Sequence, residues 1–525
     1  MATVATEPGV TSIATPSQAS TSQIPNRPKT IPARGTRKGG GDEAEDTEEE
    51  EDEDEEYGGM GMEQLVLRVD AFLTGSGDPE RNKERIRQLA ENAVAHGPPT
   101  LETAQATAVQ WGDGFTFTPA RIQADEDFVR NQPGTNRLQG AAVERWHELN
   151  DSPGGRLNVE RVETFLSKDN TEFNRMMALA QPGGGVPIMV PEGFVPNGTN
   201  GGPLPRLSQA TQTAGGALRK MVHKGFHLPL LCLIMTVVVA RALVPNMHIS
   251  PSMWAIKDKA DEGRNCNNCS NGGTAEGNQP LNSDWLREEA RRLWGPIRNP
   301  TLEMVIDMIN TFTAKAIADG HGNRPIHLHK MDISSAYSKL TFCANDVHLM
   351  GCELPGDLIA FFTGGTFGWG GMPFAFDVVT RAVQWELNEG TQHRLHGMSL
   401  MYVDDVIGIA FADEVALDQA IITRLVEGLL GAGAISVKKT MVEVGGVLEV
   451  IGYRIDRGMR RAGISENNVH KAFQAVWAIE HGPTNSRRML QRVASHASRY
   501  KRVCPLMAPF TRILHGACKS HLMRT

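Results

Sequence analysis

"MYVDDVIGIA", residues 401–410, sets two aspartates side by side inside a run of otherwise apolar residues. Adjacent carboxylates repel and are costly to desolvate, so this run joins a core only if the pair sits at an edge. "SLMYV" and "IGIAF" predict two short strands, with Asp404, Asp405 and Val406 at the bend between them. One aspartate at a hairpin tip is ordinary turn chemistry. A second asks for more. Asp332 ends another strand-like run, "RPIHLHKMD", far upstream; laid beside the hairpin in an antiparallel sheet, it adds a third carboxylate to the tip. Three acids with no matching base require cations. Oxygen ligands with room for water and phosphate favour Mg²⁺, with Mn²⁺ as a substitute. Two such ions about 4 Å apart are the apparatus for in-line displacement at a phosphate.

The surrounding pattern is that of an α+β unit. "MPFAFDVVTRAVQWELNE" is helical and is entered through the glycine-rich "TGGTFGWGG". "ADEVALDQAIITRLVEGLLGAG" is a helix with an acidic start and a stop at Gly431, followed by two strand candidates, "ISVKK" and "EVIGYRID". Strand, helix, hairpin, helix, strand describes an antiparallel sheet backed by helices. The longest apolar stretch, "LPLLCLIMTVVVA", is 13 residues and is closed by Arg241. A bilayer needs roughly 20, so this is a buried element.

Charge is unevenly spread. The net −8 hides a segment at 42–56 that holds 13 of the 61 acids; the remainder carries 48 acids against 53 bases. A mildly basic body fits a nucleic-acid partner. Seven cysteines in 525 residues make no disulfide framework, and "MATVATEPGVTS" is no signal peptide. An intracellular protein, cytoplasmic or nuclear and without a membrane partner, is expected. Residues 1–61 read as a disordered acidic tail, 62–181 as a helical region of unknown role, and 182–213 as a Pro/Gly-rich linker. A second folded unit follows.

Within that unit "KMDISSAY", "TFGWGGMPFAFDVVTRAV", "MYVDDVIGI", "VKKT" and "VIGYRID" resemble, in order and spacing, the successive palm motifs of reverse transcriptases. "SPSMWAIKDKADEGRNCNNCSN" is similar to their fingers segment, and "LQRVASHASRYKRV" to a thumb helix. The "FG" before the glycines most resembles retrotransposon enzymes of the gypsy and tyrosine-recombinase (DIRS-like) kinds. The resemblance implies a right-hand polymerase, with fingers and palm over 214–465 and a thumb-like region over 466–525. The implied activity is RNA-directed DNA synthesis, with dNTPs, a primer and an RNA or DNA template as partners and two Mg²⁺ ions as cofactors. RNase H, protease and recombinase or integrase activities would come from separate chains, or else the sequence is a fragment of a longer protein.

Carried over by position, the resemblance assigns Asp332 and Asp404 to both metals, the Ile333 carbonyl as a further ligand, and Asp405 as support. Tyr337 would lie under the sugar and exclude a 2′-hydroxyl. Phe367, Gly368 and Pro373 bound the segment where glycine lets backbone approach the incoming nucleotide and template base. Lys257 and Arg264 would hold the triphosphate, with Lys259 competing for the first role. Tyr402 completes the nucleotide site. Lys439 would protonate the leaving pyrophosphate, with Lys438 as its neighbouring rival. Arg487, Arg488, Arg492, Arg499 and Lys501 form a basic stripe suited to a duplex backbone. Asn268 stands where the family's fingers turn has aspartate.

Other signals weigh less. "CNNC" at 266–269 is half a zinc site without a second half. The histidines of "HLH" at 327–329 share a strand face and are expected to be packed or solvated. "HASR" at 496–499 imitates a tyrosine-recombinase motif, but no tyrosine follows Tyr500. Two rivals stay open: RNA-templated RNA synthesis, and a non-catalytic nucleic-acid-binding or assembly protein derived from a retroelement.

Overall fold

Alternating apolar residues build the central sheet. The computed structural model describes residues 119–151, 155–198, 232–256, 263–270, 279–354, 358–481 and 487–519, all within the unit Gly58–Thr525. The acidic tail and the earlier part of the N-terminal helical region lie outside them. Strands β5 (Ile326–Asp332), β8 (Met398–Tyr402), β9 (Asp405–Phe411) and β10 (Met441–Val442) pair antiparallel in the order β10-β5-β9-β8. Period-two alternation sends Met331 and Val406 into one hydrophobic cluster and Leu328, Ile407 and Ile409 into another. On the first side lie α8 (Met372–Asn388) and α9 (Val415–Leu430); α9 stops, as expected, at Gly431, φ +95°. On the second lies α7 (Leu302–Ala318), with the three-stranded sheet β11 (Val447–Val450), β12 (Tyr453–Asp456) and β13 (Arg461–Ile464).

From Cys232 on, the apolar stretch is strand β1 (Cys232–Thr236) and helix α5 (Val237–Leu243). Thr236 caps that helix, accepting from Val239 N. β1 joins β7 (Leu358–Phe362), β6 (Gly351–Leu354) and β2 (Ile249–Ser250) in a second sheet. Among the described residues no helix is long and apolar enough to cross a membrane.

Three expectations differ from what is observed. "EVIGYRID" is two strands, because Ile451 (φ +45°) and Gly452 (φ +81°) turn the chain between Val450 and Tyr453. "ISVKK" forms only one bridge, Ile435 to Ile333, before a 3₁₀ turn at Val437–Lys439. Thirdly, the N-terminal helices and the first part of the linker share the core of the second unit. Helices α1 (Pro119–Arg130), α2 (Arg137–Asp151), α3 (Val159–Phe165) and α4 (Phe173–Ala180) contribute Val129, Leu138, Val162 and Met176 to the cluster that holds Met331 and Val406. Asp125 accepts from Ile234 N, and Glu172 grips Arg381 of α8 at 2.9 Å. In the linker, Val186 exchanges hydrogen bonds with Thr341 and Cys343, both 2.9 Å. Prolines and glycines there shape a packed loop, since apolar Val186, Ile188 and Met189 are interleaved among them and buried.

Candidate active site

Strand pairing brings the acids together. Asp332 and Asp405 are direct partners in the β5–β9 ladder, and Tyr402 pairs with Asp405 across the hairpin. Directly opposed residues share a face, so Asp332, Asp405 and Tyr402 form one row across three strands. The bend is Val403–Asp404, one residue earlier than expected; Asp405 and Val406 already belong to β9. Val403 has φ +54°, a region that β-branched residues rarely adopt and that costs roughly 1–3 kcal/mol. Two hydrogen bonds hold the tip against it: Thr380 Oγ1 of α8 donates to Val403 O at 2.9 Å, and Ile333 N donates to Asp404 O at 2.7 Å. Flanking residues of the Ile333–Ile435 bridge make its hydrogen bonds (Ser334 N to Ala434 O, Ser436 N to Asp332 O). Ile333 therefore turns its own N–H and carbonyl the other way, toward the Asp404 tip.

Matching bases are present after all. Lys439 Nζ donates to Asp332 Oδ1 at 2.7 Å, and Lys330 Nζ stands 3.8 Å from Asp405 Oδ1. Of the two neighbouring lysines it is Lys439, not Lys438, that contacts Asp332. Lys330 was missed by the sequence reading, although strand alternation puts it on the face of Asp332, two residues away. Among the described residues no three His, Cys, Asp or Glu side chains converge as a ready metal cage. The cluster is nonetheless short of positive charge. Asp332 is buried, and its Oδ2 is enclosed without a hydrogen-bond partner. Burial pushes the Asp405 carboxyl up to about 6; Asp404 and Asp332 add to this, while Lys330 and Lys439 oppose it. A partly buried, under-neutralised carboxylate centre with an orphaned oxygen suits a hard divalent cation.

Tyr337 follows Ser335, whose φ is +53°, and is half-buried. Its ring lies 5.0 Å from Phe367 and 5.9 Å from Phe376. Pro373 enters the first turn of α8. Gly368 is needed for a different close approach from the one expected. At φ +106° a Cβ there would sit 1.9 Å from the Asn267 carbonyl, so the glycine lets this loop dock on the strand that ends at Asn267. β3 (Ser252–Ile256) and β4 (Gly263–Asn267) form the hairpin that carries Arg264, opposite Ala255; Lys257 and Lys259 lie outside the described residues. Asn282 clamps the junction: its Nδ2 donates to Gly368 O and its Oδ1 accepts from Gly370 N, both 2.7 Å. Only the tertiary structure singles out this asparagine.

The basic stripe divides. Helix α11 (Arg487–Val503) carries Arg487, Arg488, Arg492, Arg499 and Lys501. Arg492 and Lys501 are exposed. Arg499 instead donates to Asn468 Oδ1 at 2.7 Å, tying α11 to α10 (Glu466–His481). It is a structural residue. Burial, with Arg499, Arg492 and Lys471 nearby, holds the His496 imidazole below its ordinary range. Tyr500 is largely enclosed, and burial pushes its hydroxyl upward. His329 is fully buried, with Gly408 making room for its ring, and burial lowers it to about 4. Cys266 and Cys269 form no disulfide; Cys269 accepts a hydrogen bond from Ser250 Oγ, and burial pushes its thiol up to about 12.

No protein-family model matches the chain, and no curated protein matches it by sequence. Solved structures similar to it include the foamy viral protease–reverse transcriptase with double-stranded DNA, at TM-score 0.37 and 11% identity, covering 75% of this chain and 65% of that one. Telomerase from Candida albicans aligns at TM-score 0.31 and 9% identity, over 81% of this chain and 87% of that one. The RNA-dependent RNA polymerase of a human picobirnavirus aligns at 0.34 and 10%, over 81% and 82%. The chain thus spans less than two thirds of the foamy viral protein's length.

Proposed function

We propose that the chain is a template-directed nucleic-acid polymerase of the reverse-transcriptase kind, acting for a retroelement. One observation carries this: Asp332 and Asp405 are paired in register, Asp404 is in the adjoining strained tip, and Asp332 Oδ2 is left without a donor. Asp332, Asp404 and the Ile333 carbonyl would hold two Mg²⁺ ions, with Asp405 behind them. When bound, such ions supply Lewis-acid activation and neutralise charge on phosphate. The primer 3′-oxygen forms a bond to the α-phosphorus of a dNTP and loses its proton to solvent. The bond from that phosphorus to the bridging oxygen breaks, and pyrophosphate leaves. Lys439 is the proton donor to that leaving group. Tyr337, braced by Phe367 and Phe376, excludes a 2′-hydroxyl, while Arg487, Arg488, Arg492 and Lys501 follow the duplex backbone.

The test is primer extension by the full chain on an RNA template with a DNA primer and Mg²⁺ or Mn²⁺. Extension with dNTPs is expected, and Asp404→Asn should abolish it. Ribonucleotide use by the unaltered chain would point to RNA synthesis instead. A second reading has its own support: the Lys439–Asp332 and Lys330–Asp405 pairs also suit a palm kept as a nucleic-acid-binding scaffold. Salt-sensitive binding without extension in either metal would favour it.

A further inference from the structure

We propose that Arg156 and Lys339, buried together beside the C-terminal end of α9, form a binding site for a phosphate-bearing anion. Each is only 7% exposed. Cations so enclosed are normally paired. Cations of this chain that are less enclosed are paired: Arg381 meets Glu172 and Asp377, Arg145 meets Asp125 and Glu148, and Arg457 meets Glu443. Arg156 and Lys339 are exceptions, with no hydrogen bond or ion pair among the described residues, and Arg156 Nε is wholly enclosed without an acceptor.

Their surroundings explain why no described residue pairs with them. Arg156 follows Gly155, where the space of a side chain is filled by the Arg161 guanidinium. Arg161 in turn donates to the carbonyls of Glu427 and Gly428, at 3.2 and 2.7 Å, using up the negative end of α9. The Glu427 carboxylate accepts from Gly433 N at 3.0 Å. The segment leading to Lys339 meets the chain just beyond α9, where Ser334 N donates to Ala434 O. Burial lowers the Lys339 amine to about 8; Arg156 lowers it further and Glu427 opposes. The cations acting on Asp405 are Lys330 and Lys439, so this pair belongs to a different place. A phosphate suits it: the group carries up to two charges, and its several acceptor oxygens match a guanidinium fork and an ammonium together. The phosphate is either free or part of a nucleic-acid strand.

Thermal unfolding of the full chain tests the site independently of polymerase activity. In sodium phosphate or pyrophosphate, against sodium chloride at equal ionic strength, a free-phosphate site raises the wild-type Tm by about 2 °C or more. An Arg156→Met/Lys339→Met double variant should not respond, and Lys339→Arg should retain the response. Should the double variant fail to fold, Lys339→Gln is expected to lose at least half of the shift. A strand phosphate shows itself otherwise: wild-type Tm is indifferent to free phosphate, but affinity for a short single-stranded oligonucleotide falls at least threefold in the variant. An equal phosphate shift in wild type and variant overturns the site. So does the absence of both responses.

Discussion

Asp418 and Asp332 are both buried aspartates within reach of the same sheet, yet they are treated in opposite ways. Asp418, on α9, is fully enclosed and accepts from His396 N at 2.9 Å, Gly397 N at 3.0 Å and His396 Nδ1 at 3.2 Å. It pins the entry to β8 against the helix. Asp332 receives one ammonium on Oδ1 and nothing on Oδ2. A carboxylate whose lone pairs are filled by the chain holds the fold. One that is dried but left short of donors is held ready for something the chain does not itself contain.

Substitution should separate the two roles cleanly. Asp404→Asn, at the tip beside Asp332, is expected to lower the rate of primer extension at least about 100-fold while the Tm stays near wild type. Asp418→Ala should do the reverse. It strands two backbone N–H groups, costing about 2–4 kcal/mol in denaturant unfolding, with activity lost only as folded protein is lost. Equal effects of both variants on Tm would erase the distinction.

Asp405 sharpens the comparison through pH. Its folded carboxyl titrates near 6, above the ordinary 3.8. Between about pH 4 and 6 an unfolded chain releases this proton while the folded chain keeps it, so folded protein binds more protons. The stability contributed is fully present below about pH 4 and is lost as pH rises through 6, a decline of about 3 kcal/mol. In Asp405→Asn that part of the decline should vanish from unfolding curves taken at successive pH values. Added Mg²⁺ should reduce it in wild type.

Smaller effects test the supporting frame. Asn282→Ala removes both bonds to the glycine loop and should lower kcat/KM for the nucleotide about tenfold, about 1.4 kcal/mol. Asn282→Asp cannot donate to Gly368 O and should recover little of it. Removing exposed Arg492 and Lys501 together should flatten the salt dependence of duplex binding by about two units of log–log slope. Arg499→Ala should instead lower Tm, because its partner is Asn468.

Local pattern carried much of this far. Gly431 ended α9, alternation marked β5 and β9, and Asp332, Asp404 and Asp405 were visible as acids at strand ends. The failures share a cause. Residues 182–198 looked like a linker because proline and glycine content says nothing of whether Val186 finds Thr341. Arg499 looked like its basic neighbours because helix spacing does not disclose Asn468. For Gly368 nothing in the sequence signalled that its missing Cβ leaves room for the Asn267 carbonyl.

Sequence alone determined which residues share a strand face, since alternation is a local property of an extended backbone: Leu328, Lys330 and Asp332 on one, Ile407 and Asp405 on another. It could not determine that these faces meet in the register Asp332 to Asp405. Register between distant strands is set by how Met331 and Val406 pack on one side of the sheet and Leu328 and Ile409 on the other. A one-residue slip would reverse both faces. The two lysines on the acids and the strained tip under Thr380 follow from that packing, and only the tertiary structure decided them, as it alone enclosed the cations at 156 and 339 without a partner among the described residues.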